Sequence, residues 1–92
     1  MLTLDDRVRA GGDLLSTTVD GETVVLDITN GVYVNLNAMG SEILRRLEQE
    51  RTLRDLCHDL SREFTVSPEQ IEREVLGFAA RLQDAGLIRL VA

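Results

Sequence analysis

The sequence predicts an α+β domain, a three-stranded antiparallel sheet followed by three helices, on three observations. Residues 14–36 alternate in polarity or are β-branched, two Asx-Gly dipeptides divide them into three runs, and after Leu36 the apolar period changes from 2 to 3.6. With 92 residues, 43% of them apolar and 28% charged, the chain has material for one small core and none for a second. Residues 1–92 therefore read as a single folding unit.

The first predicted strand is Leu14–Val19, the second Thr23–Ile28 and the third Val32–Leu36. Asp20-Gly21 and Asn30-Gly31 join them, and such dipeptides supply the positive φ angles of tight hairpin turns, so the three form a meander. Residues 1–12 carry no periodic signal and read equally as a flexible arm or a short extra strand.

Asn37 is the expected N-cap of a first helix with Met39, Ile43, Leu44 and Leu47 on its apolar side, ending near Arg51. Thr52 and Asp55 start a second helix, with Leu53, Leu56, Cys57, Leu60 and Phe64 on one face. Ser67-Pro68-Glu69-Gln70 combines a capping serine, proline at the first helical position and a glutamine placed to close a capping box. The third helix then runs from Pro68 to about Ala85, with Gly86 as its C-terminal cap. Leu87–Val91 is an apolar tail that reads as a last strand or an extension.

Each element must bury its apolar side against another layer, so the helices belong on one face of the sheet. The third strand, Val-Tyr-Val-Asn-Leu, carries no charge and no proline, the devices that usually protect an exposed edge. Either another segment covers that edge or it is kept for a partner.

Composition narrows the partners. Sixteen acidic residues stand against ten basic ones, all arginine, for a formal charge of −6. That is the wrong sign for phosphate neutralisation, so nucleic acid and anionic membrane are disfavoured. Aromatics make up 3% of the chain, too few for a base-stacking platform. No apolar run approaches a membrane span or a secretory signal, which makes a cytoplasmic protein the expectation.

Catalytic readings find little to stand on. Cys57 and His58 are neighbours, but adjacent helical residues point about 100° apart and cannot face one another. Cys57 lies at helical spacing with Leu53, Leu56 and Leu60 and reads as a buried thiol, while His58 falls on the polar side. One cysteine and one histidine make no zinc set. Asp27 has no partner base or carboxylate and reads as a solvent-facing or turn-stabilising group. No phosphate-binding glycine loop is present. The expectation is a protein that is not an enzyme and holds neither metal nor cofactor.

On a wheel of the third helix, Val75, Phe78 and Leu82 fall within about 40° of Ile71, an ordinary core stripe. Beside them Glu72, Leu76, Ala79, Ala80 and Gln83 form a shallower flank of small and mixed residues. That flank is either further packing or the wall of a groove. Set beside the uncovered strand Val32, Tyr33, Val34, Asn35 and Leu36, it suggests that an extended peptide adds as a fourth strand, with Glu72, Leu76, Ala79 and Gln83 as the helical wall. Val32 and Val34 share parity with core-facing Leu36, so Tyr33 faces the other way.

The run Leu26-Asp27-Ile28-Thr29-Asn30-Gly31-Val32-Tyr33-Val34-Asn35-Leu36-Asn37, followed by Gly40, Ile43 and Leu44, resembles the signature of the PqqD-like family. The ending Val75, Phe78, Leu82, Ala85-Gly86-Leu87-Ile88 is similar to the close of that family's third helix. The resemblance spans roughly residues 14–90. It implies a winged-helix-like fold and a recognition element for ribosomally made, modified peptides, with the leader segment antiparallel to the third strand and against the third helix.

Free-standing members of this length are similar to the B1 proteins of lasso-peptide gene clusters. That implies a precursor leader peptide as ligand and a B2-type leader peptidase and a cyclase as partners, with the domain a monomer or weak homodimer. The alternative within the family is the peptide chaperone of quinone-cofactor biosynthesis. Outside it, a winged-helix DNA-binding regulator would need a cationic recognition helix, whereas the third helix carries Glu69, Glu72, Glu74 and Asp84 against Arg73 and Arg81. A self-associating module that pairs the open strand with its twin is the other rival.

Overall fold

The computed structural model describes residues 2–11, 14–20 and 22–91. Gly21, named above in a turn, and residues 1 and 12 of the expected arm lie outside them. The elements in chain order are β1 (Arg7–Ala10), β2 (Leu14–Val19), β3 (Glu22–Asp27), β4 (Val32–Leu36), α1 (Ala38–Arg46), β5 (Arg51–Thr52), α2 (Leu53–Ser61), α3 (Pro68–Asp84) and β6 (Ile88–Leu90).

The expected meander is present as a sheet of order β2-β3-β4, antiparallel throughout, with Leu15 opposite Leu26 and Leu26 opposite Tyr33. Its second turn is built as the sequence suggests. Gly31 takes φ +68, a region that L side chains rarely enter. The Asp27 carboxylate organises the same turn by accepting from the Thr29 and Asn30 amides at 3.1 and 3.2 Å and from Asn30 Nδ2 at 2.7 Å. Of the two expectations for Asp27, the turn-stabilising one holds and the solvent-facing one does not, since the residue is only 3% exposed. Its buried charge is tolerated because three donors meet it.

A second sheet, of order β5-β1-β6, was only partly expected. The N-terminal segment is its central strand. β1 pairs antiparallel with β5 through Arg7↔Thr52 and with β6 through Val8↔Leu90. The apolar tail is thus a strand. Further main-chain bonds hold the segment, among them Ala10 N–H to the Leu47 carbonyl at 2.6 Å and Leu53 N–H to that of Asp6 at 3.1 Å.

All three helices begin at the expected caps. The Asn37 side chain accepts from Gly40 N–H at 2.9 Å, Thr52 from Asp55 N–H at 3.1 Å and Ser67 from Gln70 N–H at 3.2 Å. The Gln70 amide reaches forward to Glu74 at 3.5 Å instead of back across the cap. α1 is shorter than expected, ending at Arg46 with Leu47 as its cap, because Arg51 and Thr52 are drawn into the second sheet.

The core lies between the sheets and helices. It takes Val8 and Ile88 from one sheet, Val25 and Leu36 from the other, Ile43 and Leu47 from α1, Leu53, Leu56, Cys57 and Leu60 from α2, and Ile71, Val75, Ala79 and Leu82 from α3. Among the described residues no helix is long and apolar enough to cross a membrane.

An open strand edge beside a helical groove

Among the described residues β4 has one neighbour in its sheet, β3, so its other edge is open. Leu36 is buried, Val34 half-buried, and Val32, Tyr33 and Asn35 are exposed, Tyr33 at 69%. Leu36, at 3% exposure, belongs to the core.

α3 runs along this edge in the opposite direction to β4. Near its C-terminus, a Cβ on Gly86 would sit 3.8 Å from Asn30 Nδ2 in the β3–β4 turn. Further back, Arg73, Glu74, Gly77, Phe78 and Arg81 face Asn35, Leu36, Asn37 and Met39 across a groove of about 570 Å3. The groove wall is mixed in character. The half-buried Phe78 ring carries the Arg81 guanidinium 4.4 Å from its centroid, a cation–π stack, and Gly77 leaves open space beside it.

The four residues expected from sequence as the helical wall do not line this groove. Glu72, Leu76, Ala79 and Gln83 form one stripe of α3, and Leu76 and Phe78 point about 200° apart at ~100° per residue. Ala79 is fully buried in the core and Leu76 packs against it. Glu72 lies near α2, where its carboxylate helps raise the Cys57 thiol. Burial is the larger cause, and together they push the thiol up to about 11, with Arg54 opposing. α2 packs on this flank of α3, so the side facing β4 is the one carrying Glu74, Gly77, Phe78 and Arg81. Phe78, expected in the core stripe, packs against the core and also borders the groove.

The remaining candidates keep surface or packing positions. Cys57 is buried and His58 exposed, on a polar patch with Arg51, Asp55 and Arg62.

An antiparallel sheet whose uncharged β4 edge lies beside a helical groove places the chain among small α+β domains shaped to accept an extended segment. The chain belongs to the PqqD family: the family model described as coenzyme PQQ synthesis protein D matches residues 22–88. Among solved structures it is similar to TbiB1 in complex with the TbiA(beta) leader peptide, with 26% identity and a TM-score of 0.78 over 91% of this chain and 98% of that one. It also shares its fold with a lasso peptide synthetase B1 complexed with the leader peptide, with 24% identity and a TM-score of 0.74 over 89% and 96% of the two chains. The comparison with curated proteins gave no match.

Proposed function

We propose that this domain binds the leader segment of a lasso-peptide precursor as a fourth strand on β4, and that it acts by presenting that segment rather than by catalysis. The observation that carries the reading is the open, uncharged β4 edge running along α3 with the Phe78 groove between them. Main-chain hydrogen bonds from Val32 to Leu36 supply affinity whatever the peptide's sequence, and the groove supplies selection. The likeness to TbiB1, solved with its leader peptide, supports the same reading. The wall that meets the peptide is Glu74, Gly77, Phe78 and Arg81 in place of Glu72, Leu76, Ala79 and Gln83. The downstream partners are a leader peptidase and a cyclase.

The test is fluorescence polarisation of a labelled leader peptide, encoded beside this chain's gene, at two salt concentrations. Saturable binding between micromolar and nanomolar, about −8 to −12 kcal/mol, with weak salt dependence is expected. Failure to bind any such leader would overturn the reading. A second reading, as chaperone of a quinone-cofactor precursor peptide, is favoured by the description of the matching family model. Titrating that precursor in the same assay separates the two.

A further inference from the structure

Two arginines of α3 stand in the groove without a partner. Arg73, Gly77 and Arg81 are spaced by four, so they form one exposed row along the helix, and all three line the groove beside Asn35 and Leu36. Six ion pairs join side chains among the described residues, and neither Arg73 nor Arg81 belongs to any of them, although Glu69 and Asp84 lie within four residues of them on the same helix. Gly77 stands midway between the two. A Cβ there would meet nothing within 4 Å, so the gap between the cations is open to a side chain from outside.

The two cations can act together. Eight residues of helix set their Cα atoms about 12 Å apart, a span that two arginine side chains close from either end onto a group above Gly77. Arg81 is already held. Its guanidinium lies 4.4 Å from the Phe78 ring centroid, and stacking uses the face of that group while its N–H donors stay in the plane, free to meet an acceptor. A carboxylate is the acceptor whose two oxygens match such a fork. The groove also holds Glu22, which enters from β3, and Glu74, which lies on the adjoining row of α3 and accepts from the Gln70 amide at 3.5 Å. Its charges therefore balance, and the pair that shares a row and an open gap is the cationic one. Elsewhere the net charge of −6 disfavours an acidic ligand, so a carboxylate gains most where this pair stands.

We infer that the groove selects an acidic side chain near the start of the bound leader segment, with Arg73 and Arg81 as its specificity-determining residues. The inference rests on the strand-addition reading. A strand added antiparallel to β4 begins at the Leu36 end, where the groove lies, and a residue placed opposite Val34 or Leu36 shares their face and turns toward the helix. Main-chain bonds to β4 hold any extended peptide in several registers. The carboxylate fixes one of them, because a slip of one residue turns it to the other face of the sheet.

The experiment titrates the labelled leader encoded beside this chain's gene, and a set of peptides in which each Asp or Glu is changed singly to its amide, against wild type, Arg73→Gln, Arg81→Gln and the double variant. One amide change, at the start of the bound segment, should weaken binding to wild type about tenfold, the scale of a charge-assisted hydrogen bond. The double variant should bind the unchanged leader about tenfold more weakly and no longer distinguish the two peptides. Arg81→Lys should recover part of the loss. Both arginines are exposed, so the thermal melts should coincide. Wild-type binding that is indifferent to every amide change, or a bound leader with no acidic residue in that stretch, overturns the inference and leaves strand addition standing. So does a leader whose binding depends instead on a Lys or Arg and on Glu74. If the leader fails to bind wild type at all, the strand-addition reading fails and this one with it.

Discussion

Phe78 lies so close to Gly40 that a Cβ on that glycine would come within 2.7 Å of the ring's Cε1. The first turn of α1 thus holds one side of the ring while Arg81 holds another. Gly40→Ala should displace the ring, with an overpacking cost of about 1–3 kcal/mol partly offset by the ~0.5–1 kcal/mol that alanine gains over glycine in a helix. Thermal unfolding should show a melting point several degrees lower, and leader affinity should drop as well. Phe78→Leu in the same chain should restore much of the stability, and absence of rescue would show the contact is not the cause.

The two sides of α3 should separate by phenotype. Leu76→Glu places a charge against the core on the α2 side, so it should lower the unfolding temperature strongly. Phe78→Ala should keep most of the fold and weaken leader binding tenfold or more. A polarisation titration beside a thermal melt reads both, and the reverse pattern would return the peptide to the Leu76 flank.

Proline reads the edge directly. N–H groups along β4 alternate between β3 and the open side, so Tyr33→Pro and Val34→Pro should differ in kind. One should cost about 1–3 kcal/mol of stability by leaving a ladder bond unmade. The other should leave denaturant unfolding nearly intact and abolish leader binding. Equal, small effects from both would count against strand addition.

Cys57 makes the fold sensitive to alkali. With its thiol pushed up to about 11 from an ordinary value of 9.0, the folded chain keeps a proton that the unfolded chain releases between those limits. The unfolded state then binds fewer protons, so stability should fall as pH rises from about 9 to 11. Cys57→Ala should remove this component of the pH dependence in a denaturation series, though it also leaves a small cavity. The thiol should resist alkylation at pH 8 until the protein is unfolded.

The sequence disclosed strands and caps well and neighbours less well. Val32–Leu36 was readable as an unprotected edge because the absence of charge is a local property. Asn37, Thr52 and Ser67 were readable as caps for the same reason. The role of Arg7–Ala10 was not, because four residues with one buried valine have no period to detect and their partners, Thr52 and Leu90, are remote in the chain. The side of α3 nearest β4 was hidden in a related way. A helical wheel sorts α3 into stripes, but only packing decides that Ala79 is enclosed and Leu76 lies on the α2 side while Phe78, packed on the core, also borders the groove beside β4.

The position of β1 between β5 and β6 also bears on how the domain is made. Its register with Leu90 closes nearly the whole chain into one loop, at an entropic cost on the order of 4 kcal/mol that no local contact recovers. On the ribosome, the meander and α1 have all their residues early, yet Val8 stays unpaired on one side until Ile88 and Leu90 have emerged. Until then β1 shows an uncovered edge in addition to that of β4, and only the arrival of β6 removes it.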